Sequence, residues 1–274
     1  MNYTQYEFFT GNETDREWLI AILSEYDFEG FEEKGGSLLA FVPESKMNVE
    51  RLQAILTAND LGHIPTEQKT ILPQNWNEEW EKNFSPVLIA DKVGIRAPFH
   101  EPMHAEMELI IEPKMSFGTG HHATTASVIT LMLSMDWQGK SVLDFGSGTG
   151  ILSIVAEKLG ADLVWAIDNE EWAYHNCIEN VARNGCTKIN TIHGDETFSI
   201  QRTFDIILAN INLNVVTANI GAWAKLLNKN GVMIVSGVLT ADEATVVNEA
   251  LKHNLVLKDI VRKDGWIAAS FQHL

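Results

Sequence analysis

The chain has 274 residues, with 37 Asp and Glu against 20 Lys and Arg, a formal net charge of −17. Hydrophobic residues make up 45% and charged residues 21%, ordinary globular values that exclude wholesale disorder. The acid excess argues against direct nucleic-acid binding and against docking on an anionic membrane, both of which need clustered Lys and Arg, while it permits a basic partner.

The length suits two modest domains. The opening residues, MNYTQYEFFTGNETD, show no basic start followed by an apolar run, so no signal peptide is expected. Six short elements fill residues 1 to 72. Tyr3–Phe9 is strand-like, and Thr14–Tyr26 carries a helical stripe through Trp18, Leu19, Ile22 and Leu23. Residues 31–34 and 37–42 flank Gly35-Gly36 as a hairpin. Asn48–Leu61 repeats the helical stripe, and Glu67–Leu72 closes as a strand. The order β-α-β-β-α-β is that of a ferredoxin-like unit. It holds no nucleophile–base pair or metal-ligand cluster, which points to recognition rather than chemistry. Its acidic stretch, Glu25 to Glu33, mixes carboxylates with aromatics and reads either as a docking surface or as a solvated turn.

Residues 73–86, PQNWNEEWEKNFSP, lie between two prolines, natural element boundaries, and Trp76 and Trp80 would share one face of a short linker helix. From residue 87 to 274 the texture becomes α/β. Strand-like pieces at 87–90, 92–96 and 108–111 precede the loop SFGTGHHATT and a helix to about Met135. Strands at 141–145, 163–167, 204–209 and 232–236 then alternate with helical stretches, among them 151–159 and 170–184. Short, apolar, β-branched strands of this kind form a buried parallel sheet covered by helices on both faces. Residues 255–261 and 266–271, joined by Lys263-Asp264-Gly265, end the chain as an antiparallel hairpin. No apolar run approaches the ~18–20 residues of a membrane-spanning helix. Cys177 and Cys186 match no zinc or redox spacing, so two reduced thiols in a cytoplasmic protein are expected.

The main chemical motif is VLDFGSGTG, residues 142–150, where a strand enters a glycine loop and then a helix. Gly146, Gly148 and Gly150 let backbone approach a ligand, and the helix start presents free N–H groups. A dinucleotide site needs G-x-G-x-x-G, whereas residue 151 is Ile and an acid, Asp144, precedes the loop. An acid beside the loop suits a cationic ligand better than a pyrophosphate, and S-adenosylmethionine, with its sulfonium and ammonium, fits. Asp168 ends the next strand and can accept both ribose hydroxyls, although it or Asn169 could instead cap the following helix. Asp195, in His193-Gly194-Asp195, is placed to receive the adenine amine or is a turn residue. Asn210 stands at a further strand end, where ligands of open α/β sheets sit, and its amide could hold an acceptor amine. A turn-forming role is the plainer reading for it. Adjacent His121 and His122 point apart and lack a third ligand, so no metal site is expected.

Four stretches carry a family resemblance: NWNEEWEKNF, FGTGHHATT, DFGSGTGILSIVAEKLGA and the strand end ANI. In their order and spacing the chain resembles the ribosomal protein L11 methyltransferases (the PrmA group), within the Rossmann-like class I methyltransferases that use S-adenosylmethionine. The resemblance implies methylation of lysine side chains and the α-amine of a large-subunit ribosomal protein. It implies that Thr125 contacts the cofactor, Gly146 lines its methionine part, Asp168 binds its ribose, and Asn210 sits between cofactor and target amine. Phe117 and Thr119 would close over the sulfonium. The chain departs from the family pattern at His121 and Ala123, where Thr and Pro are common, and at Asn212, where an aliphatic residue is usual. Two alternatives are a methyltransferase of the same fold acting on glutamine amides or small molecules, and a non-catalytic cofactor-binding assembly factor. Glutamine-directed relatives carry N-P-P-Tyr, whereas this chain reads Asn210-Ile-Asn-Leu213. Residues 1–72 hold thirteen acids against five bases, a net of −8, so the acidity is concentrated where a basic ribosomal protein would dock.

Overall fold

Alternation sets the first strand: in β1 (Tyr3–Phe8) Thr4, Tyr6 and Phe8 are buried while their neighbours are partly solvated. The computed structural model describes residues 3–71, 84–114, 116–194 and 200–274. It divides into two compact units, Met1–Asn83 and Phe84–Leu274. The expected linker helix falls largely on residues 72–83, outside the described residues.

In the first unit β1 is followed by α1 (Glu13–Leu23), β2 (Gly30–Lys34), β3 (Ser37–Pro43), α2 (Val49–Ala58) and β4 (Thr66–Ile71). The strands form an antiparallel sheet in the order β2-β3-β1-β4. Asn12 and Asn48 start the two helices by accepting backbone N–H bonds from Asp15 and Arg51, each at 2.8 Å. Both helices stop earlier than the apolar spacing predicts. Ser24 Oγ donates to Ile20 O at 2.6 Å at the end of α1, and Asp60, with φ +59°, turns the chain after α2. Leu61 keeps the helical spacing because the turned chain brings it back onto the same core. The acidic stretch divides by side: Phe28 and Phe31 pack inward, while Glu29 accepts from the Tyr3 hydroxyl at 2.6 Å.

The second unit opens with a small sheet, β5 (Val87–Ile89), β6 (Val93–Arg96) and β7 (Met107–Ile110). Then come α3 (Ala123–Met132), β8 (Ser141–Phe145), α4 (Ile151–Leu159), β9 (Leu163–Asp168), α5 (Glu171–Arg183), β10 (Ile189–His193), β11 (Phe204–Asn210) and α6 (Leu213–Leu226). The chain ends with β12 (Leu227–Leu239), a short 3-10 turn, α7 (Glu243–Leu251), β13 (Leu255–Lys263) and β14 (Trp266–His273). The large sheet runs β10-β9-β8-β11-β12-β14-β13. Its first five strands are parallel, and β14 inserts antiparallel between β12 and β13. Two cores cover its faces. Val142, Val164, Leu208 and Ile234 meet Ile129 of α3 and Ile151, Leu152 and Val155 of α4. On the other face Leu143, Phe145, Ile207 and Met233 meet Val216, Ile220 and Trp223 of α6 and Val246 of α7. No helix among the described residues is long and apolar enough to cross a membrane. Both cysteines are free thiols, and burial pushes Cys177 up to about 12 and Cys186 up to about 11.

Asn180, buried on α5, and Asn184, half-buried at its C-terminal cap, tie this helix to neighbouring segments. Asn180 accepts from Glu112 N–H at 2.8 Å and donates to Thr149 O at 3.0 Å, while Asn184 bonds both N–H and C=O of Ile110. Asn180→Ala would leave a buried donor and acceptor unpaired, at about 1–3 kcal/mol each. The expected result is a loss of about 2–4 kcal/mol of unfolding free energy in urea titration, with an unchanged m-value.

Candidate active site

The glycine loop is stitched to its surroundings by its own backbone. Gly146 and Ser147 both donate to Ile167 O, at 2.8 and 3.0 Å, and Gly148 N–H donates to Asp168 Oδ2 at 2.8 Å. Gly148 has φ +56°, and a side-chain carbon there would run into the Phe117 carbonyl. Glycine alone therefore lets the loop of residues 116–122 lie directly against the loop of residues 146–150. Thr149 fastens the two, its N–H to Phe117 O at 3.0 Å and its hydroxyl to Gly118 O at 2.6 Å.

Asp144 does not serve a ligand, contrary to the expectation for the acid preceding the loop. It is 1% exposed, and its Oδ2 accepts from Ser153 N–H at 3.1 Å and Ser153 Oγ at 2.7 Å. The start of α4 is thus turned onto a buried carboxylate. Burial pushes Asp144 up to about 7, with the Ser153 bonds opposing the shift and the charge of Asp168 adding to it. The acid that reaches ligand space is Asp168.

Asp168 bonds the backbone on both sides of it and faces open space. Its Oδ1 accepts from Glu170 N–H at 3.0 Å, supporting the approach to α5, while Oδ2 holds Gly148. A carboxylate has about four acceptor positions, so capacity remains for two hydroxyls. Asn169 does not cap the helix; its carbonyl lies 3.0 Å from His193 Nε2. Asp168 lines a cavity of about 500 Å³ with Gly146, Ile167, Asn169, Gly194, Ile211 and Asn219. It lies at the carboxyl edge of the parallel strands and falls within the range of about 300–1,000 Å³ for small-molecule sites.

A second cavity of about 230 Å³ adjoins it, sharing Ile211 and Asn212. Asn210 lines it; Nδ2 donates to Thr125 Oγ1 at 3.3 Å, and Oδ1 is buried without a partner. Phe117 also lines it, half exposed. Thr125 is fully buried behind Asn210, and Thr119, its hydroxyl 3.2 Å from His121 Nδ1, lines neither cavity. Asp195 lies outside the described residues. Asn212 caps α6, accepting from Val215 N–H at 3.1 Å, which accounts for a polar residue there. His121 and His122 diverge: His121 Nε2 meets Ser85 O at 2.8 Å, and His122 caps α3 through Thr124. Gly237, His122 and Trp266 were not legible as cavity walls, because they converge only through the hairpin and the α3 cap.

A sheet of this order, with a glycine loop and a strand-end carboxylate bounding one cavity and an unpartnered amide oxygen bounding its neighbour, is that of a Rossmann-like S-adenosylmethionine-dependent methyltransferase. The residues fit that cofactor: Asp168 has acceptor capacity for a diol, and the larger cavity has the volume. The family described as Ribosomal protein L11 methyltransferase (PrmA) matches residues 14–273, and the chain belongs to it. A relative of that name from Bacteroides fragilis is 36% identical over 99% of both chains. One from Porphyromonas gingivalis is 40% identical over 94% of this chain and 91% of its own. The crystal structure of ribosomal protein L11 methylase from Lactobacillus delbrueckii subsp. bulgaricus has the same fold, with TM-score 0.65 and 24% identity over 69% of this chain and 99% of its own.

Two outcomes check the site. Asp144 ionises with a raised pKa in the folded state, so its contribution to stability is full below the unfolded carboxylate range and is lost as pH rises toward 7. Relative to Asp144→Asn, the wild type should lose roughly 1.4 kcal/mol of stability per pH unit between about pH 5 and 7, measured by denaturant unfolding, and then level off. Asp168→Ala should weaken S-adenosylmethionine binding by at least about a hundredfold in calorimetry, since two charge-assisted bonds and the loop anchor are lost together.

Proposed function

We propose that the chain methylates amino groups of ribosomal protein L11, at lysine side chains and the α-amine. The observation that carries this reading is Asn210 Oδ1, buried without a partner beside the junction of the two cavities. It is an acceptor where an amine N–H would lie. S-adenosylmethionine, when bound, supplies an electrophilic methyl on its sulfonium. Asp168 holds the ribose hydroxyls, Gly146 lines the methionine part, and Asp195 receives the adenine amine. Phe117, Thr119 and Thr125 shape the loop side of the site, Thr125 by orienting Asn210.

Lysine carries its proton at neutral pH, with a free pKa of ~10.4, and must lose it before it can attack. Among the described residues no carboxylate lines the smaller cavity, so none of these stabilises the ammonium by charge. Desolvation lowers the amine pKa, and Asn210 Oδ1 accepts from the neutral amine. Positioning at the Asn210 end supplies the rate. Residues 1–72 serve as a ferredoxin-like recognition domain, 73–86 as the linker and 87–274 as the methyltransferase domain. The net charge of −8 in the first segment favours a basic substrate over nucleic acid, in the cytoplasm.

Incubating the chain with ribosomal protein L11 and labelled cofactor should give mass increases of whole methyl groups, mapped by peptide mass spectrometry to lysines and the N-terminus. No label in the protein would reject the reading. Asn210→Ala should lower turnover about a hundredfold while cofactor affinity stays within threefold. Equal losses in both would remove Asn210 from the acceptor side.

A further inference from the structure

The smaller cavity has a wall that the reading above leaves unused. Phe117, His122 and Trp266 stand in a row, with ring centroids 5.3 Å apart for Phe117–His122 and 5.0 Å for His122–Trp266, both edge-to-face. All three line the cavity with Asn210. Of its other polar atoms, His122 Nδ1 is engaged with Thr124 and Asn212 Oδ1 accepts from Val215 N–H. Asn210 Oδ1 remains as the buried free acceptor. The result is an aromatic passage with no carboxylate among its described lining residues and a buried, unpaired side-chain acceptor beside it.

Trp266 reaches this wall through a defect in the sheet. Pairing of β12 with β14 slips between Ser236 and Val238, so that Leu239 faces Trp266. Gly237, at the slip, has φ +78°, and a side-chain carbon there would overlap the Ile211 carbonyl. A bulge of this kind re-aims the residues beyond it. It brings the first residue of the last strand over the end of β11, far from it in sequence.

We propose that Phe117, His122 and Trp266 form an aromatic sleeve for the alkylammonium stem of the acceptor, and that Trp266 determines specificity for amines over amides. The inference rests on the reading of this site as an amine methyltransferase. Ring faces attract a cation more weakly than a carboxylate at contact distance does, so the sleeve admits a lysine ammonium while opposing its deprotonation less than an ion pair would. A glutamine amide has no positive charge to gain from the rings. A methylated ammonium is larger and less hydrated, and gains at least as much.

Two measurements on the full chain test this. In NMR of the chain with labelled tryptophan, choline should shift the Trp266 indole signal, assigned through Trp266→Phe, and bind at least about fivefold more tightly than its uncharged isostere 3,3-dimethylbutan-1-ol. Equal binding, or shifts that spare Trp266, would overturn the sleeve. In kinetics, Trp266→Ala should lower kcat/KM for the ribosomal protein about tenfold, through KM, with cofactor affinity within twofold, and Trp266→Phe should recover most of the loss. Unchanged kcat/KM, or a matching loss of cofactor affinity, would reject the assignment. A wild-type chain that leaves the ribosomal protein unmethylated would reject the proposed function instead, and the choline titration would still decide the sleeve.

Discussion

The carboxylate of Asp168 is the constraint on which the site depends. One oxygen draws the backbone of the glycine loop toward the end of β9 through Gly148, and the other supports the approach to α5 through Glu170. Because Gly148 is held there, the loop of residues 116–122 can close against it, and Thr149 locks the two together. That closure carries Phe117 and His122 to the mouth beside Asn210. A single side chain thus links the parallel sheet, both loops and the larger cavity.

The two buried carboxylates of the loop divide the labour by surroundings rather than by type. Asp144 sits between sheet and helix, sees only Ser153 as a donor, and is pushed up to about 7 by burial. Asp168, one strand over, opens onto the cavity and takes two backbone donors. The charge of Asp168 raises Asp144 further. The smaller cavity has no carboxylate among its described lining residues, in a chain with a net charge of −17. On the proposed reading, acidity that suits a basic partner on the surface would hold a lysine proton in place if it reached the smaller cavity.

Much of the fold was legible because buried parallel strands leave a plain mark. VLDF, LVWAID and FDIILA are short apolar runs, and each was expected within a residue or so of its place in the sheet. Strand β12 was expected only over 232–236 but spans Leu227–Leu239, because its outer parts are polar or bulged and lack the apolar signature. That Gly146, Asp168 and Asn210 line cavities was legible because each stands at or just past the carboxyl end of a parallel strand, where open α/β sheets leave space. Asp144 was misread because a motif shows which acids are near a loop but not which way they face.

The amino-acid order by itself determined the alternation of strands and helices, the glycine positions where backbone must pass close, and the placing of an acid and an amide at strand ends. These follow from local propensity and period, which need only near neighbours in the chain. Only the tertiary structure decided which acid is buried and which faces the cavity, that Asn212 is a helix cap, and that Trp266 stands across from Asn210. The place of Trp266 depends on contacts between residues dozens of positions apart and on one strand slip at Gly237 that no periodicity records. The Asn212 cap and the Asp144–Ser153 bonds are local contacts that gain their meaning only once sheet and helices are packed.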